Sequence, residues 1–267
     1  MTFYSPGQIF LHIGPISIRY YGLMYLLAFI LASFVIKKLS LRYKFDPDLL
    51  INCALVCFLS GIFGARLYFV LLSWPYFASH LTEIFAVWQG GLSIHGGLLG
   101  ALLIGIWYVK KKNLPIMRTA DILATVVPLG QAIGRWGNFF NCELFGLPVD
   151  ASFLFKQYIP PNLRPPQFAS CEFFHPTFFY ESVWDLVLFL GLYFLILPKF
   201  NRIPGVTLFV YMIGYSLGRI LIEPIRLDSI MFGATKIPLV ASWIFLLLSL
   251  VAMAIVYLRD KKSASSK

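Results

Sequence analysis

The sequence predicts an all-α, polytopic membrane protein: a bundle of about seven transmembrane helices with one long external loop. Three observations carry that expectation. First, the chain of 267 residues is 59% hydrophobic and only 13% charged, where soluble domains carry about 25% charged residues. Second, long runs contain no Asp, Glu, Lys or Arg, namely Tyr20–Ile36, Leu49–Ala65, Ile84–Val109 and Ile237–Leu258. A bilayer core about 30 Å thick needs about 20 apolar helical residues, and these runs approach that length. Third, the runs are continuously apolar rather than alternating, which excludes a transmembrane β-barrel.

The N-terminal "MTFYSPGQIF" has no basic n-region and no small-residue cleavage site, so no removable signal peptide is expected. The first helix, over 18–37, then serves as its own insertion signal. Further helices are expected over 48–72, 93–110, 117–137, 178–198, 205–223 and 238–258. In the fourth, fifth and sixth, ionisable residues shorten the charge-free run. The longest connection, 139–177, holds Pro148, Pro160, Pro161, Pro165, Pro166 and Pro176, which exclude helix through its middle. Phe153, Phe155, Phe168, Phe173 and Phe174 make it apolar for an exposed loop and suit a segment that packs on the bundle or enters the headgroup layer, where it can meet an incoming partner. No internal repeat or low-complexity segment is visible, and 1–267 reads as one integral-membrane domain.

Basic residues set the sidedness. The connections after helices one, three, five and seven hold fourteen Lys and Arg; the opposite side holds five. The positive-inside rule then places the N-terminus outside and the C-terminus in the cytoplasm. The net charge of +10 is thus largely a topology signal. These lysines form no groove-reading motif, so no nucleic acid is expected as partner.

Arg66, Arg135 and Arg219 lie instead within helices two, four and six. Intramembrane charges are costly and either pair or serve function. With this topology all three sit towards the outer face. Tyr20 and Tyr21, His95, and Tyr180 and Glu181 open the inward-running helices one, three and five at the same depth. Three arginines with few acids nearby suit an anion, which guanidinium grips in a bidentate fork. Beside lipid, the simplest anion is a phospholipid headgroup. The structural alternative is pairing with acids or helix-end carbonyls. For Arg219 the two readings stand level, because Glu223 is four residues on and shares its face. Arg135 has no nearer acid than Glu143, beyond the helix end, which favours function. Arg66 has no acid within a turn, and a structural role stands beside the functional one.

His95, in "SIHGGLLG", is either an interfacial anchor or a general base, its ordinary pKa of about 6.5 suiting proton transfer near neutrality. His12 and His80 have no polar company in sequence, and His175 beside Pro176 suits a local structural role. Gly96 and Gly100, Gly130 and Gly134, and Gly214 and Gly218 form G-x-x-x-G pairs that permit close helix approach. Cys142 and Cys171 share the external loop, and in an oxidising compartment a disulfide between them would pin its ends; two separate thiols are the alternative. No H-E-x-x-H, C-x-x-C or G-x-S-x-G occurs, which leaves metal hydrolysis, dithiol redox and serine acyl transfer unsupported.

"GRWGNFFNCELFG", residues 134–146, resembles the signature G-R-x-G-N-F-x-N-x-E-x-x-G of bacterial prolipoprotein diacylglyceryl transferases. "YYGLMY", "HGGLLG", "HPTFFYE" and "GYSLGRILIEPIR" are similar to that family's other motifs, in the same order, and the likeness covers nearly the whole chain. The resemblance implies a seven-helix enzyme of the bacterial inner membrane. Such an enzyme transfers the diacylglyceryl group of phosphatidylglycerol to the lipobox cysteine thiol of a preprolipoprotein and releases glycerol 1-phosphate. It implies phosphatidylglycerol contacts for Arg135, Asn138, Asn141, Gly146, Tyr21, Glu181 and Tyr215. Catalytic roles fall to His95, Glu143, Arg219 and Glu223, with His95 and Glu143 both open as the base that deprotonates the thiol. No metal or organic cofactor is implied.

A transporter for an anionic solute is the rival reading. It predicts interrupted helices in two matching halves with polar groups near the midplane, whereas the polar residues here lie off-centre and no repeat is seen. A phosphatidyltransferase of the CDP-alcohol type needs an aspartate cluster for metal, which the sequence lacks.

Overall fold

The structure, a computed structural model, describes residues 1–14, 16–229, 231–233 and 235–265. Seven long helices form where expected: α1 (Tyr20–Arg42), α2 (Pro47–Leu72), α3 (Ile94–Lys111), α4 (Ile116–Asn141), α5 (Thr177–Phe200), α6 (Val206–Ile222) and α7 (Ile237–Ser265). Among the described residues, six of these are long and apolar enough to cross a membrane; the 18-residue α3, ending in Lys110 and Lys111, is outside that set. At 1.5 Å per residue α3 still reaches about 27 Å. Short strands add to the helices: β1 (Thr2–Phe3), β2 (Ile9–Ile13), β3 (Ile16–Arg19), β4 (Lys156–Tyr158), β5 (Phe173–Phe174), β6 (Met231–Phe232) and β7 (Thr235–Lys236). The chain packs as two units, 33–123 and 1–32 with 124–267, whose boundaries fall inside α1 and α4.

In the 33–123 unit, Asp46 caps α2 by accepting from the Asp48 amide at 2.9 Å, with Pro47 in the first turn, where a missing N–H costs nothing. Helices α2 and α3 pack with backbones nearly touching. A Cβ on Gly64 would strike the Gly96 carbonyl, and one on Gly100 the Ser60 carbonyl. The expected close-approach role of Gly96 and Gly100 holds. Below them Cys53, Tyr108 and Val109 form a buried cluster.

The second unit holds the loop and the remaining helices. β4 pairs in parallel with β1 and antiparallel with β5, so the N-terminus is woven into the loop. Phe3, Phe139 and Phe178 are buried together, with Phe155 packed against them. A second cluster joins Phe145, Ile159 and Phe174. The loop's aromatics are therefore its core, laid over the ends of α4 and α5, while Phe153 stays 40% exposed. Helix α5 carries one π-helical turn at Leu192–Ile196, just before Pro198.

Two expectations are corrected here. Gly130 and Gly134 meet nothing within 4 Å of an added Cβ, so this pair does not bring helices together, whereas Gly214 and Gly218 lie under Leu188 and Trp184 of α5. The Cys142–Cys171 disulfide is also not formed. Both are free thiols that share one apolar cluster, where burial pushes the Cys142 thiol pKa up.

Candidate active site

The end of α4 explains the crowding in residues 134–146. Cys142 takes a left-handed conformation, φ 52°, its amide bonding back to Phe139 at 3.0 Å and the Glu143 amide to Asn138 at 3.1 Å. This pair of bonds is a Schellman cap. Cys142 occupies the position that glycine usually holds, and Leu144 follows at φ 58°; each non-glycine residue there costs about 1–2 kcal/mol. The turn folds Glu143 back over the helix end, where its Oε1 accepts from Asn138 Nδ2 at 2.9 Å and Asn141 Nδ2 at 3.2 Å. Tyr21, opening α1, lays its ring over Gly137. Its hydroxyl is 3.3 Å from that of Tyr25, with Asn138 and Glu143 as electrostatic neighbours.

Gly146 is pinned between strand-like contacts. Its amide donates to the His175 carbonyl at 2.9 Å, it bridges to Arg226, and a Cβ would meet His175, Ile225 and Thr177. Close packing on three sides accounts for a glycine at this position. His175 has the local role expected, its Nδ1 lying 3.2 Å from the Tyr180 hydroxyl, and burial lowers its pKa. His12 and His80 do have polar company, from Ser17 and Ser79.

Glu181 is the hub of the site. One turn into α5 and 5% exposed, it presents Oε2 to Arg135 Nη2 at 2.6 Å and Oε1 to Arg226 Nη1 at 2.8 Å and Arg219 Nη1 at 3.3 Å. Arg219 also pairs with Glu223 one turn further along α6, and Ser229 donates to the other Glu223 oxygen at 2.7 Å. Arg226 grips Asp228 in a fork, Nε–Oδ1 3.1 Å and Nη2–Oδ2 2.7 Å. Burial, the largest single influence on Arg226, opposes its charge. The Asp228 hydrogen bonds and the fields of Glu181, Asp228 and Glu223 outweigh it and raise the pKa. Lys236 ties the chain after α6, donating to the carbonyls of Glu223, Pro224 and Arg226 at 2.8–3.0 Å.

The expectation of arginines with few acids is thus overturned: Arg135, Arg219 and Arg226 face Glu181, Glu223 and Asp228. For Arg66 the structural reading holds. In the 33–123 unit its guanidinium donates to the carbonyls of Glu83, Ile84, Gly90 and Gly91 at 2.5–3.1 Å, which ties down the connection between α2 and α3. His95 also belongs to that unit, exposed in the first turn of α3, its ring 6.4 Å from that of Tyr68.

Arg135 differs from its neighbours. One nitrogen is held by Glu181, and among the described residues its guanidinium makes no other hydrogen bond. Arg135 instead borders a small cleft lined also by Glu181, Trp184, Asp185, Tyr215, Arg219 and Ile222. The registry of its walls is pinned by Ser182, which donates to the Ala132 carbonyl at 2.8 Å and accepts from Trp136 Nε1 at 3.2 Å. Among the described residues, no three His, Cys, Asp or Glu side chains gather as a metal site. Sequence reasoning missed Arg226, Asp228, Ser229, Lys236, Asp185 and Trp184. Arg226 was visible within "GYSLGRILIEPIR" but reads as a topology marker, because Pro224 ends the helical periodicity that relates it to Arg219.

A multi-pass membrane protein with an arginine cleft braced by carboxylates is the class that fold and site define. The family model described as prolipoprotein diacylglyceryl transferase matches residues 8–255. Proteins called phosphatidylglycerol–prolipoprotein diacylglyceryl transferase in Trichormus variabilis and Synechocystis are 43% and 41% identical over 263 residues, covering 97% of this chain and 93% and 92% of theirs. The one in Synechococcus elongatus is 40% identical over 261 residues, 96% of this chain and 90% of its own. The chain belongs to the prolipoprotein diacylglyceryl transferase family.

Proposed function

We propose that this enzyme transfers the diacylglyceryl group of phosphatidylglycerol to the lipobox cysteine of a preprolipoprotein, the first step of lipoprotein maturation. The observation that carries the reading is Arg135. It lies in the family's signature, braced on one side by Glu181, with its other donors left for a ligand in the cleft. Phosphate is the ligand that such a guanidinium edge takes bidentately. The positive-inside bias supports a bacterial inner-membrane location with the N-terminus in the periplasm and the C-terminus in the cytoplasm. In that orientation the cleft opens at outer-leaflet headgroup depth, and the external loop meets the signal peptide.

In the reaction, the cysteine sulfur attacks the glyceryl carbon that carries the phosphate. A C–S bond forms, the C–O bond breaks, and its electron pair leaves on the phosphate oxygen as glycerol 1-phosphate. Arg135 and Arg219 stabilise the charge that grows there, in a site too poor in water to screen it. Glu223 and Glu181 orient the two guanidiniums. Asn138, Asn141, Glu143, Tyr21 and Tyr215 border the headgroup. The thiol must lose its proton to become a nucleophile, and His95 and Glu143 are the two acceptors to be separated by substitution.

The test is incubation of the purified enzyme in phosphatidylglycerol vesicles with a lipobox peptide and lipid labelled in its acyl chains. A thioether-linked diacylglyceryl peptide and free glycerol 1-phosphate are expected. Release of labelled fatty acid, or no label on the peptide, overturns the reading.

A further inference from the structure

Beneath the arginine layer lies a second polar layer built by the same three helices. Arg135 of α4, Glu181 of α5 and Tyr215 of α6 each have a polar residue four positions further from the loop: Gln131, Asp185 and Tyr211. Four residues on a helix is about one turn, roughly 5–6 Å along the axis, so the three fall at one common depth. They also meet. The Tyr211 hydroxyl donates to Gln131 Oε1 at 3.3 Å, its ring is 6.2 Å from that of Tyr215, and Asp185 is its electrostatic neighbour. Asp185, 3% exposed, lines the deep side of the cleft and takes part in none of the ion pairs that engage the acids above it.

Hydrocarbon alone would not call for this layer. Polar side chains at membrane depth are costly and mark places where a polar ligand passes. Gln131 accepts from Tyr211 through its oxygen, which orients its amide and leaves the Nε2 hydrogens to donate. The spacing suits one part of a lipid. When a diacyl phospholipid has its phosphate on Arg135, its glyceryl ester carbonyls lie about one helical turn deeper, between phosphate and acyl chains.

We infer that Gln131, Tyr211 and Asp185 form a polar subsite for the glyceryl ester carbonyls of the donor lipid, with Gln131 Nε2 as the donor. The inference rests on the proposed function and adds a basis for choosing diester over ether lipid. The phosphate and the carbon under attack are the same in both lipid types, so the subsite acts on KM rather than on the chemical step.

The experiment compares a diester phosphatidylglycerol with its dialkyl ether analogue of matched chains, as donors to a lipobox peptide. A neutral hydrogen bond contributes about a three- to tenfold preference. The wild-type enzyme is expected to show a KM higher by that factor or more for the ether lipid, with kcat within twofold. Gln131→Leu should raise KM for the diester by a similar factor and shrink the preference, and Tyr211→Phe should shrink it less. Asp185→Asn, which keeps a polar side chain of the same shape, should retain the preference that Asp185→Leu loses. Equal KM for the two lipids in the wild type, or an unchanged preference in Gln131→Leu, overturns the subsite. Transfer from neither lipid by the wild type overturns the function on which it rests.

Discussion

Glu181 and Arg135 are joined across α5 and α4 by an ion pair of 2.6 Å, although 46 positions separate them in sequence. The same carboxylate also meets Arg219 and Arg226. One acidic side chain therefore holds three guanidiniums in register.

Removing Glu181 is expected to cost more stability than removing any one arginine. Breaking a buried ion pair from one side leaves an uncompensated charge and costs about 3–5 kcal/mol. Glu181→Ala leaves three cations short at once. The prediction is a large fall in the midpoint of thermal unfolding in detergent, greater than for Arg135→Ala. Equal midpoints would make Glu181 a ligand group only.

Arg66→Ala should act on the fold and spare the chemistry of the cleft. Its guanidinium satisfies four carbonyls in the connection between α2 and α3, and buried carbonyls without donors are costly. Limited proteolysis within 78–92 should speed up in the variant. KM for phosphatidylglycerol should stay within about threefold among molecules that remain folded. A large rise in KM with unchanged proteolysis would restore Arg66 as an anion holder.

His95→Asn keeps a polar side chain of similar size and removes titration. If His95 takes the thiol proton, turnover falls strongly while insertion is unchanged, and the fall is deepest where the wild-type pH profile is highest. Near-normal turnover across pH 6–8 would leave Glu143 as the acceptor, to be tested by Glu143→Gln.

All four cysteines should react fully with a maleimide in denatured protein that was never reduced, since each is a free thiol. In the native protein Cys142 should react slowly, being buried with a raised pKa, and thiolate is the reactive form. Gel mass shifts count the labels, and a shortfall of two on the denatured chain would point to a disulfide.

The helices were legible because the bilayer demands long apolar runs, and those runs are present in the sequence with few competitors. The ends of α2 and α4 were legible to within a few residues for the same reason. The strands β1, β4 and β5 were not, since runs of two or three residues carry no periodicity and their partner is the distant N-terminus. Within the site, Arg219 and Glu223 could be paired from helical spacing alone. Arg135 and Glu181 could not, because their contact depends on how α4 and α5 dock. For Arg66 the sequence left two readings level, because it shows no acid nearby and does not show which backbone carbonyls a guanidinium will reach.

The measurement that tests the account most directly is labelled-lipid transfer by Arg135 variants in membranes containing matched amounts of each. Without Arg135, Glu181 still faces Arg219 and Arg226, so the variants should insert and fold. Lysine keeps the charge and loses the fork. With a charged hydrogen bond worth roughly 1.5–3 kcal/mol and a tenfold rate change about 1.4 kcal/mol, Arg135→Lys should lose on the order of tenfold to a hundredfold in turnover. Arg135→Ala should lose more. Wild-type turnover in Arg135→Ala would contradict the phosphate grip and return this arginine to a purely structural pairing with Glu181.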